Sequence, residues 1–420
     1  MLGVLLTILK IVFILGFLIF IHEGGHFIVA KLCKIKVNEF AIGFGPVILK
    51  KQGKETLFQL RLIPLGGFCN MEGEEERSEE VGSFSKASIP RRIAVVAAGG
   101  LVNIIFALLI YFILMSCVGN NVSNTIDSVI PDYSAQVAGL QEDDTILEIN
   151  GKKIKNKTDL DNALEKSNGN ELNVLIERDG EEKEIKLTPT EEKYNYTGIA
   201  VSTSSEKLTE IAALYPNSPG EKQGLLVNDV IIAVNGNLVE NDAQKLVDYI
   251  NGNIGEKIKF TIERNGEVIY IEVVPEVMSN YLLGVNLKMA ENNFTNNVYY
   301  AFWGTGEFVF SIVDNLKLLF SGGVSIDQLM GPVGISDVVA QTSGFADFVY
   351  ILALISISLG FTNLLPFPPL DGGKIVILLI EAIRRKPLKE KTEINIQLIG
   401  FMILIALMVY VTYNDILRIF

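Results

Sequence analysis

The chain has 420 residues, 49% of them apolar, with a positive mean hydropathy and a formal net charge of −13. This length exceeds what one hydrophobic core usually organises, so several units are expected, and the apolar content favours membrane spans joined to soluble modules. The acidity argues against nucleic acid as a partner.

Four stretches are apolar and long enough to cross a bilayer. They cover about residues 11–31, 93–117, 348–382 and 395–413. Three prolines, Pro366, Pro368 and Pro369, interrupt the third stretch, because proline breaks a helix. The sequence therefore predicts a polytopic α-helical membrane protein with four transmembrane helices.

The first span contains the only two histidines of the chain, in the motif Ile21-His22-Glu23-Gly24-Gly25-His26. Residues four apart share a helix face, so both imidazoles can reach one metal ion, with Glu23 one step round the helix. Ionisable residues are costly in hydrocarbon and are therefore candidates for function. The alternative, two satisfied core histidines in a helix bundle, does not explain why both lie in a span. The motif predicts a zinc protease site within the membrane, and its two glycines are expected to let the segment around Asp371 approach.

The segment after the first span alternates apolar residues with smaller or polar ones over 40–44 and 56–62, around a turn at 51–54. This pattern predicts a β-hairpin at about 37–70. Two interpretations stay open. The hairpin dips into the membrane and pairs its edge with an extended substrate, or it is an ordinary cytoplasmic hairpin.

Basic residues crowd this loop and the short loop Arg384–Lys389, whereas acidic side chains outnumber basic ones over residues 119–347. The positive-inside rule places both basic loops in the cytoplasm. The acidic region and both termini are then expected outside.

The acidic region contains an internal repeat. The segment 130–151 recurs 85 positions later as 215–236, and each copy is followed by a helix-like stretch and a hairpin. The helix-like stretches cover 159–165 and 242–250, and the hairpin turns are Asp179-Gly180 and Asn265-Gly266. The copies resemble two tandem PDZ domains of α+β type. Such domains bind peptides by strand addition, or they serve as spacers that gate access sterically.

A catalytic zinc ion usually takes three protein ligands and a water, so a third ligand is expected. Asp371 is the best candidate, because it follows the proline-rich break and precedes two glycines, where the backbone can turn a carboxylate inward. Cys33 and Cys69 are weaker candidates, and Asp371 could instead cap a helix that begins at Gly372. The amide of Asn363 is costly to bury without a partner, which makes it a candidate donor to an oxyanion.

H-E-x-x-H in the first span and the run from Asn363 to Gly372 (N-x-x-P-x-P-x-L-D-G) resemble the site-2 protease family of intramembrane zinc metalloproteases. Further motifs agree with this resemblance: Ile42–Pro46, Pro64–Phe68, Arg91-Arg92-Ile93 leading to Asn103, and Gly331–Ile335. With two PDZ-like repeats, the chain is most similar to the bacterial regulator-of-sigma-E protease group. One departure is Gly100, where the family usually has proline.

The resemblance implies that His22, His26 and Asp371 hold zinc (Zn²⁺), that Glu23 is the general base, and that Asn363 binds the substrate backbone. It implies hydrolysis within the transmembrane segments of single-pass membrane proteins, such as anti-sigma factors and remnant signal peptides. The resemblance also implies a location in the bacterial cytoplasmic membrane. The PDZ pair would exclude proteins whose outer domains are intact.

The expected organisation has four parts. Residues 1–120 form the first half of a membrane core, 121–192 and 193–289 the two PDZ domains, and 290–420 the second half of the core. An amphipathic helix within 292–322 is expected at the outer membrane interface. Two rival hypotheses remain, a membrane-anchored PDZ scaffold with a degenerate metal site and a transporter or zinc channel, although the spans show no inverted repeat.

Overall fold

The computed structural model describes residues 2–74, 76–119, 121–202, 207–321, 329–340, 342 and 344–419. Two compact units divide the chain: Met1–Gly119 with Asn292–Phe420, and Asn120–Glu291. After the locations that the sequence predicts for them, we call them the membrane unit and the outer unit.

The elements follow in chain order. The membrane unit begins with α1 (Leu2–Leu32), β1 (Val37–Gln52), β2 (Leu57–Met71) and α2 (Ile89–Val118). The outer unit contains β3 (Val122–Val129), α3 (Ser134–Val137), β4 (Thr145–Ile149), β5 (Lys152–Lys153), α4 (Lys157–Ser167), β6 (Leu172–Arg178), β7 (Glu181–Leu187), β8 (Thr190–Tyr196), β9 (Ile199–Val201), β10 (Ile211–Leu214), α5 (Pro219–Lys222), β11 (Val230–Val234), β12 (Asn237–Leu238), α6 (Ala243–Asn251), β13 (Ile258–Arg264), β14 (Glu267–Val273), β15 (Glu276–Leu282) and β16 (Val285–Met289). The membrane unit resumes with α7 (Phe294–Ser321), α8 (Pro332–Ala340), α9 (Phe345–Asn363), α10 (Asp371–Arg384) and α11 (Glu390–Ile419).

Four helices of the described chain are long and apolar enough to cross a bilayer. They are Leu5–Leu32, Ile89–Val118, Phe345–Asn363 and Glu390–Leu417. This number matches the sequence prediction. The expected third stretch, 348–382, is two helices, α9 and α10, separated by a turn that contains the three prolines. Proline lacks the N–H that a continuous helix would use there.

Helices α2 and α9 pack antiparallel at two facing glycines. A Cβ on Gly100 would lie 2.7 Å from the carbonyl oxygen of Gly360, and the Ser356 hydroxyl donates to the Asn103 carbonyl at 2.8 Å. Helix α2 runs unbroken through Gly100, the position where the resemblance would place proline. Glycine there lets the two backbones touch.

The predicted hairpin is present, but its two strands make more pairings than a simple hairpin does. Residues 39–42 of β1 pair on one side with 57–60 and on the other with 67–70 of the same long β2 strand. The segment Gly67–Met71 therefore lies at an edge of this sheet, and we call it the edge segment.

Helix α7, which the sequence pattern predicts at the outer interface, packs along α2 and α9. Phe294 stacks edge-on against Phe112, with ring centroids 5.7 Å apart. A Cβ on Gly304 would lie 3.1 Å from the Tyr111 ring, and Phe320 lines a cavity with Phe361 of α9. Small residues on this face of α7 allow the close packing, and the position of the helix at the outer membrane interface stays a prediction.

The outer unit contains two sheets built from the two repeats. One has the strand order β16-β3-β4-β6-β7, with β5 paired to β4, and the other the order β12-β11-β13-β14. Two-stranded pairs, β10-β9 and β15-β8, complete the unit.

Strand β16 belongs to the sheet of the first repeat. It pairs antiparallel with β3, with Val285 opposite Val129, because Leu283 and Leu287 pack on the first repeat's core. The sequence boundaries assigned these residues to the second domain (193–289), so the second repeat lies within the first along the chain.

Each repeat contains an equivalent ion pair between an arginine and a buried aspartate. Arg178 Nε lies 2.6 Å from Asp144 Oδ1, and Arg264 Nε lies 2.6 Å from Asp229 Oδ1. Both carboxylates are buried, and hydrogen bonding to them raises the pKa of each guanidinium. The matching contacts agree with the internal repeat seen in the sequence.

Candidate metal centre

Two helices bring His22, His26 and Asp371 together. The histidines lie one turn apart on α1, and Asp371 is the first residue of α10. The two Nε2 atoms are 3.3 Å apart, and each lies 3.3 Å from Asp371 Oδ2. Three potential ligand atoms thus form a triangle with equal edges.

The size and chemistry of this triangle fit zinc. A tetrahedral zinc ion with bonds of about 2.0–2.1 Å holds its ligand atoms about 3.3–3.4 Å apart. Asp371 Oδ2 is buried and has no hydrogen-bond partner in the described part of the protein. Two imidazoles and one carboxylate leave a fourth position for water, as catalytic zinc sites do.

A third helix, α2, orients His26. Its Nδ1 lies 2.8 Å from the carbonyl oxygen of Val95, and we assign the proton to Nδ1, since a carbonyl only accepts. This assignment leaves the Nε2 lone pair for a metal, the arrangement in which outer contacts fix ligand tautomers. His26 is 7% exposed.

Glycine on α2 makes room for the histidines. A Cβ on Gly99 would lie 2.3 Å from His26 Nε2 and 2.7 Å from His22 Cε1. Any side chain at this position would occupy the space of the two imidazoles.

The glycines of the motif do not have the role expected from the sequence. A Cβ on Gly25 would lie 2.7 Å from the Ala98 carbonyl oxygen on α2, while Gly24 has nothing within 4 Å. Gly25 thus admits α2, and the prediction that these glycines admit the Asp371 segment is wrong. Within that segment, Gly372 lets the turn before α10 close tightly, because a Cβ there would lie 2.2 Å from the Leu365 carbonyl oxygen.

Asp371 does not serve as a helix cap. Helix α10 begins at Asp371 itself, and its N-cap position, Leu370, makes no side-chain cap hydrogen bond. The carboxylate lies 3.3 Å from both imidazoles, which favours the ligand interpretation, and its role as a ligand stays a prediction.

A cavity of about 550 Å³ contains the triangle and Glu23. Its walls come from α1, the edge segment, α2, the start of α10 and α11. The lining residues are His22, Glu23, His26, Phe68, Cys69, Asn70, Met71, Glu74, Val96, Pro369, Asp371, Lys374 and Gln397. A Cβ on Gly67 would lie 3.1 Å from Glu23 Cγ. The Glu23 side chain therefore lies between α1 and the edge segment.

The other sequence candidates lie elsewhere. Within the described chain, His22, His26 and Asp371 are the only group of three that could share a metal ion. Cys69 lines the cavity wall and Cys33 follows α1, but neither joins that group. Asn363 ends α9 and is partly exposed, and the cavity lining does not include it. Its contact with substrate stays a prediction.

Sequence reasoning missed several residues of this cavity. Glu74, after β2, Lys374 of α10 and Gln397 of α11 line it from three separate parts of the chain. Lys374 lies one turn after Asp371 on α10, a spacing that could have identified it. No local pattern distinguishes Glu74 among its acidic neighbours.

Known proteins match this chain over nearly its whole length. The sequence profile described as peptidase family M50 matches residues 10–407. The regulator of sigma E protease of Haemophilus influenzae is 31% identical, with 96% of each chain covered. The zinc metalloprotease RasP of Shouchella clausii is 32% identical, with 99% of each chain covered. Among solved structures, a PDZ domain protein from Parabacteroides distasonis is 12% identical over 28% of this chain and 48% of its own, at a TM-score of 0.18, which is too low to assign a fold.

Proposed function

Because this chain belongs to peptidase family M50 and is a zinc metalloprotease, we propose that it cleaves single-pass membrane proteins within their transmembrane segments. The observation that carries this proposal is the 3.3 Å triangle of His22, His26 and Asp371 beside Glu23, built on a helix apolar enough to span a bilayer. His22, His26 and Asp371 hold the zinc ion, and Glu23 is the general base.

The residues divide the chemistry between them. Zinc, when bound, supplies Lewis-acid activation of water and of the scissile carbonyl. Glu23 takes the proton of the attacking water at its carboxylate and returns it to the leaving amide nitrogen. Val95 holds His26 in the tautomer that keeps Nε2 free.

The edge segment is the site where the substrate binds. A helical substrate hides its peptide bonds, so it must unwind, and its freed N–H and C=O groups need partners within the membrane. Residues 68–71 line the cavity beside Glu23 and pair with β1 on one side only among the described strands. An extended substrate adds to this edge as a further strand, with Asn363 contacting its backbone.

The outer unit selects substrates by size. We infer that its two repeats are PDZ domains outside the cytoplasmic membrane of a bacterium, with both termini on the same side. They exclude proteins whose outer domains are intact, and accept proteins that another protease has already shortened. Anti-sigma factors and remnant signal peptides are substrates of this kind. Any peptide bound in a PDZ groove would add a strand in the same way.

The test compares wild type with Glu23→Gln at matched zinc content, on a purified single-pass substrate that lacks its outer domain. We expect Glu23→Gln to keep its zinc and lose about 10²–10⁴-fold in cleavage rate, the usual contribution of a general base. Mass spectrometry of the products should place the cut within the apolar segment.

Two outcomes contradict the proposal. Equal rates for the two proteins would remove Glu23 from the chemistry. Cuts confined to the substrate's soluble parts would remove the intramembrane reaction.

A further inference from the structure

An ion pair crosses the wall of the zinc cavity. Lys374 Nζ lies 2.7 Å from Glu74 Oε1, with the side chains only 18% and 20% exposed. The same ammonium lies 5.2 Å from the ring centroid of Phe84, which is buried. A cation held by both a carboxylate and an aromatic face has a defined position.

The pair joins two elements that the proposed reaction needs. Lys374 lies one turn after Asp371 on α10. Glu74 follows the edge segment, and its backbone N–H donates to the Met71 carbonyl oxygen at 3.2 Å. The pair therefore ties the end of the edge segment to the helix that carries the third candidate ligand.

The distance between these elements decides where a substrate lies. A strand added to the edge segment takes its position from that segment, whereas zinc takes its position from α1 and α10. A change of about 1 Å between them would misplace the scissile carbonyl, which costs on the order of 10²-fold in rate when geometry is critical.

We propose that Glu74 and Lys374 are positioning residues that fix the edge segment against α10 and so set the register of the bound substrate. This inference rests on the proposed function. Lys374 donates to Glu74 rather than to Asp371, so it acts through the edge segment and not on the reacting atoms.

Three variants test the pair: Glu74→Gln, Lys374→Met and the two combined. We expect each single variant to lower kcat roughly tenfold, because the bound scissile carbonyl is misaligned, with KM changed less and zinc content unchanged. Because the two residues act as one unit, the double variant should be no worse than either single variant. Lys374→Arg keeps the charge and the stacking on Phe84, and should stay near wild type.

A second readout does not depend on cleavage. Hydrogen–deuterium exchange over residues 67–74 should be faster in both single variants than in wild type, because the edge segment loses its tie. Glu80→Gln is the matched control. It breaks the exposed Lys36–Glu80 pair, whose side chains are 41% and 60% exposed, and should change neither readout.

The outcomes separate the two proposals. A wild-type protein that cuts no single-pass substrate overturns the proposed function, and exchange over 67–74 then decides the pair by itself. Unchanged exchange in Glu74→Gln and Lys374→Met overturns the positioning role. So does additive damage in the double variant, or loss of zinc in the single variants.

Discussion

Gly99 leaves no room for a side chain between α2 and the candidate histidine ligands. A Cβ there would lie 2.3 Å from His26 Nε2, closer than any real contact of that kind. Gly99→Ala must therefore move His26 or separate α1 from α2. We expect this variant to lose most of its zinc, as measured by metal analysis of the purified protein.

Gly24→Ala is the control on the neighbouring helix. Its Cβ meets nothing within 4 Å, and alanine is better than glycine in a helix by about 1 kcal/mol. This variant should bind a full equivalent of zinc and unfold at the same or a higher temperature. Full zinc occupancy in Gly99→Ala would show that the imidazoles do not need this space.

At the residue scale, spacing along the chain was enough to predict the candidate metal ligands. His22 and His26 share a helix face wherever that helix packs, and Asp371 follows a break that any chain must make at those prolines. Gly99 and Glu74 matter only because α2 and the edge segment meet α1 and α10. Such contacts depend on tertiary packing, for which the sequence carries no periodic signal.

At the scale of elements, one buried ion pair joins α2 to α10. Arg92 makes two hydrogen bonds to the carboxylate of Glu381, at 3.1 and 2.5 Å, and the side chains are 10% and 16% exposed. Glu381→Gln leaves Arg92 charged and unpaired, which typically costs about 3–5 kcal/mol for a buried pair. We expect a clear fall in the unfolding temperature in detergent, with weaker zinc binding because Asp371 lies on the same helix.

Glu79→Gln provides the comparison for that variant. Its pair with Lys86 is exposed, and exposed pairs contribute little. Equal unfolding temperatures for Glu381→Gln and wild type would mean that other contacts hold α10 in place.

The elements were predicted to different degrees. The spans and the hairpin follow from hydropathy and alternation, which need no knowledge of neighbours. The packing of α7 on α2 was not predicted, because Ala301, Gly304 and Thr305 lie on one packing face of a helix that also carries exposed aromatic residues. An amphipathic pattern does not distinguish a helix that packs on α2 from one that lies on lipid.

At the scale of the whole molecule, the outer unit is inserted into the membrane unit at a place where the two flanking segments lie side by side. In the membrane unit, Asn292 donates to the Ser116 carbonyl oxygen at 3.0 Å. In the outer unit, the Ala290 N–H donates to the Asn121 carbonyl oxygen at 2.7 Å. Each unit thus brings its own chain ends together, as domains that tolerate insertion do.

Replacing residues 121–290 with a short Gly/Ser linker should therefore leave a folded, zinc-loaded membrane unit. We expect this variant to cut a shortened substrate at near the wild-type rate, and also to cut a substrate with an intact outer domain. A gel-based assay with both substrates measures the difference. Continued rejection of the intact substrate would place size selection in the membrane unit.

The strand order of the outer unit also fixes a sequence of events in time. A ribosome releases β3 early, but its partner β16 emerges only after every strand of the second sheet. Until then, the sheet of the first repeat lacks one strand, and Ile126 and its neighbours are incompletely covered. The second repeat already has all the strands of its sheet at that point. The repeat that is synthesised first is therefore the one whose sheet is completed last.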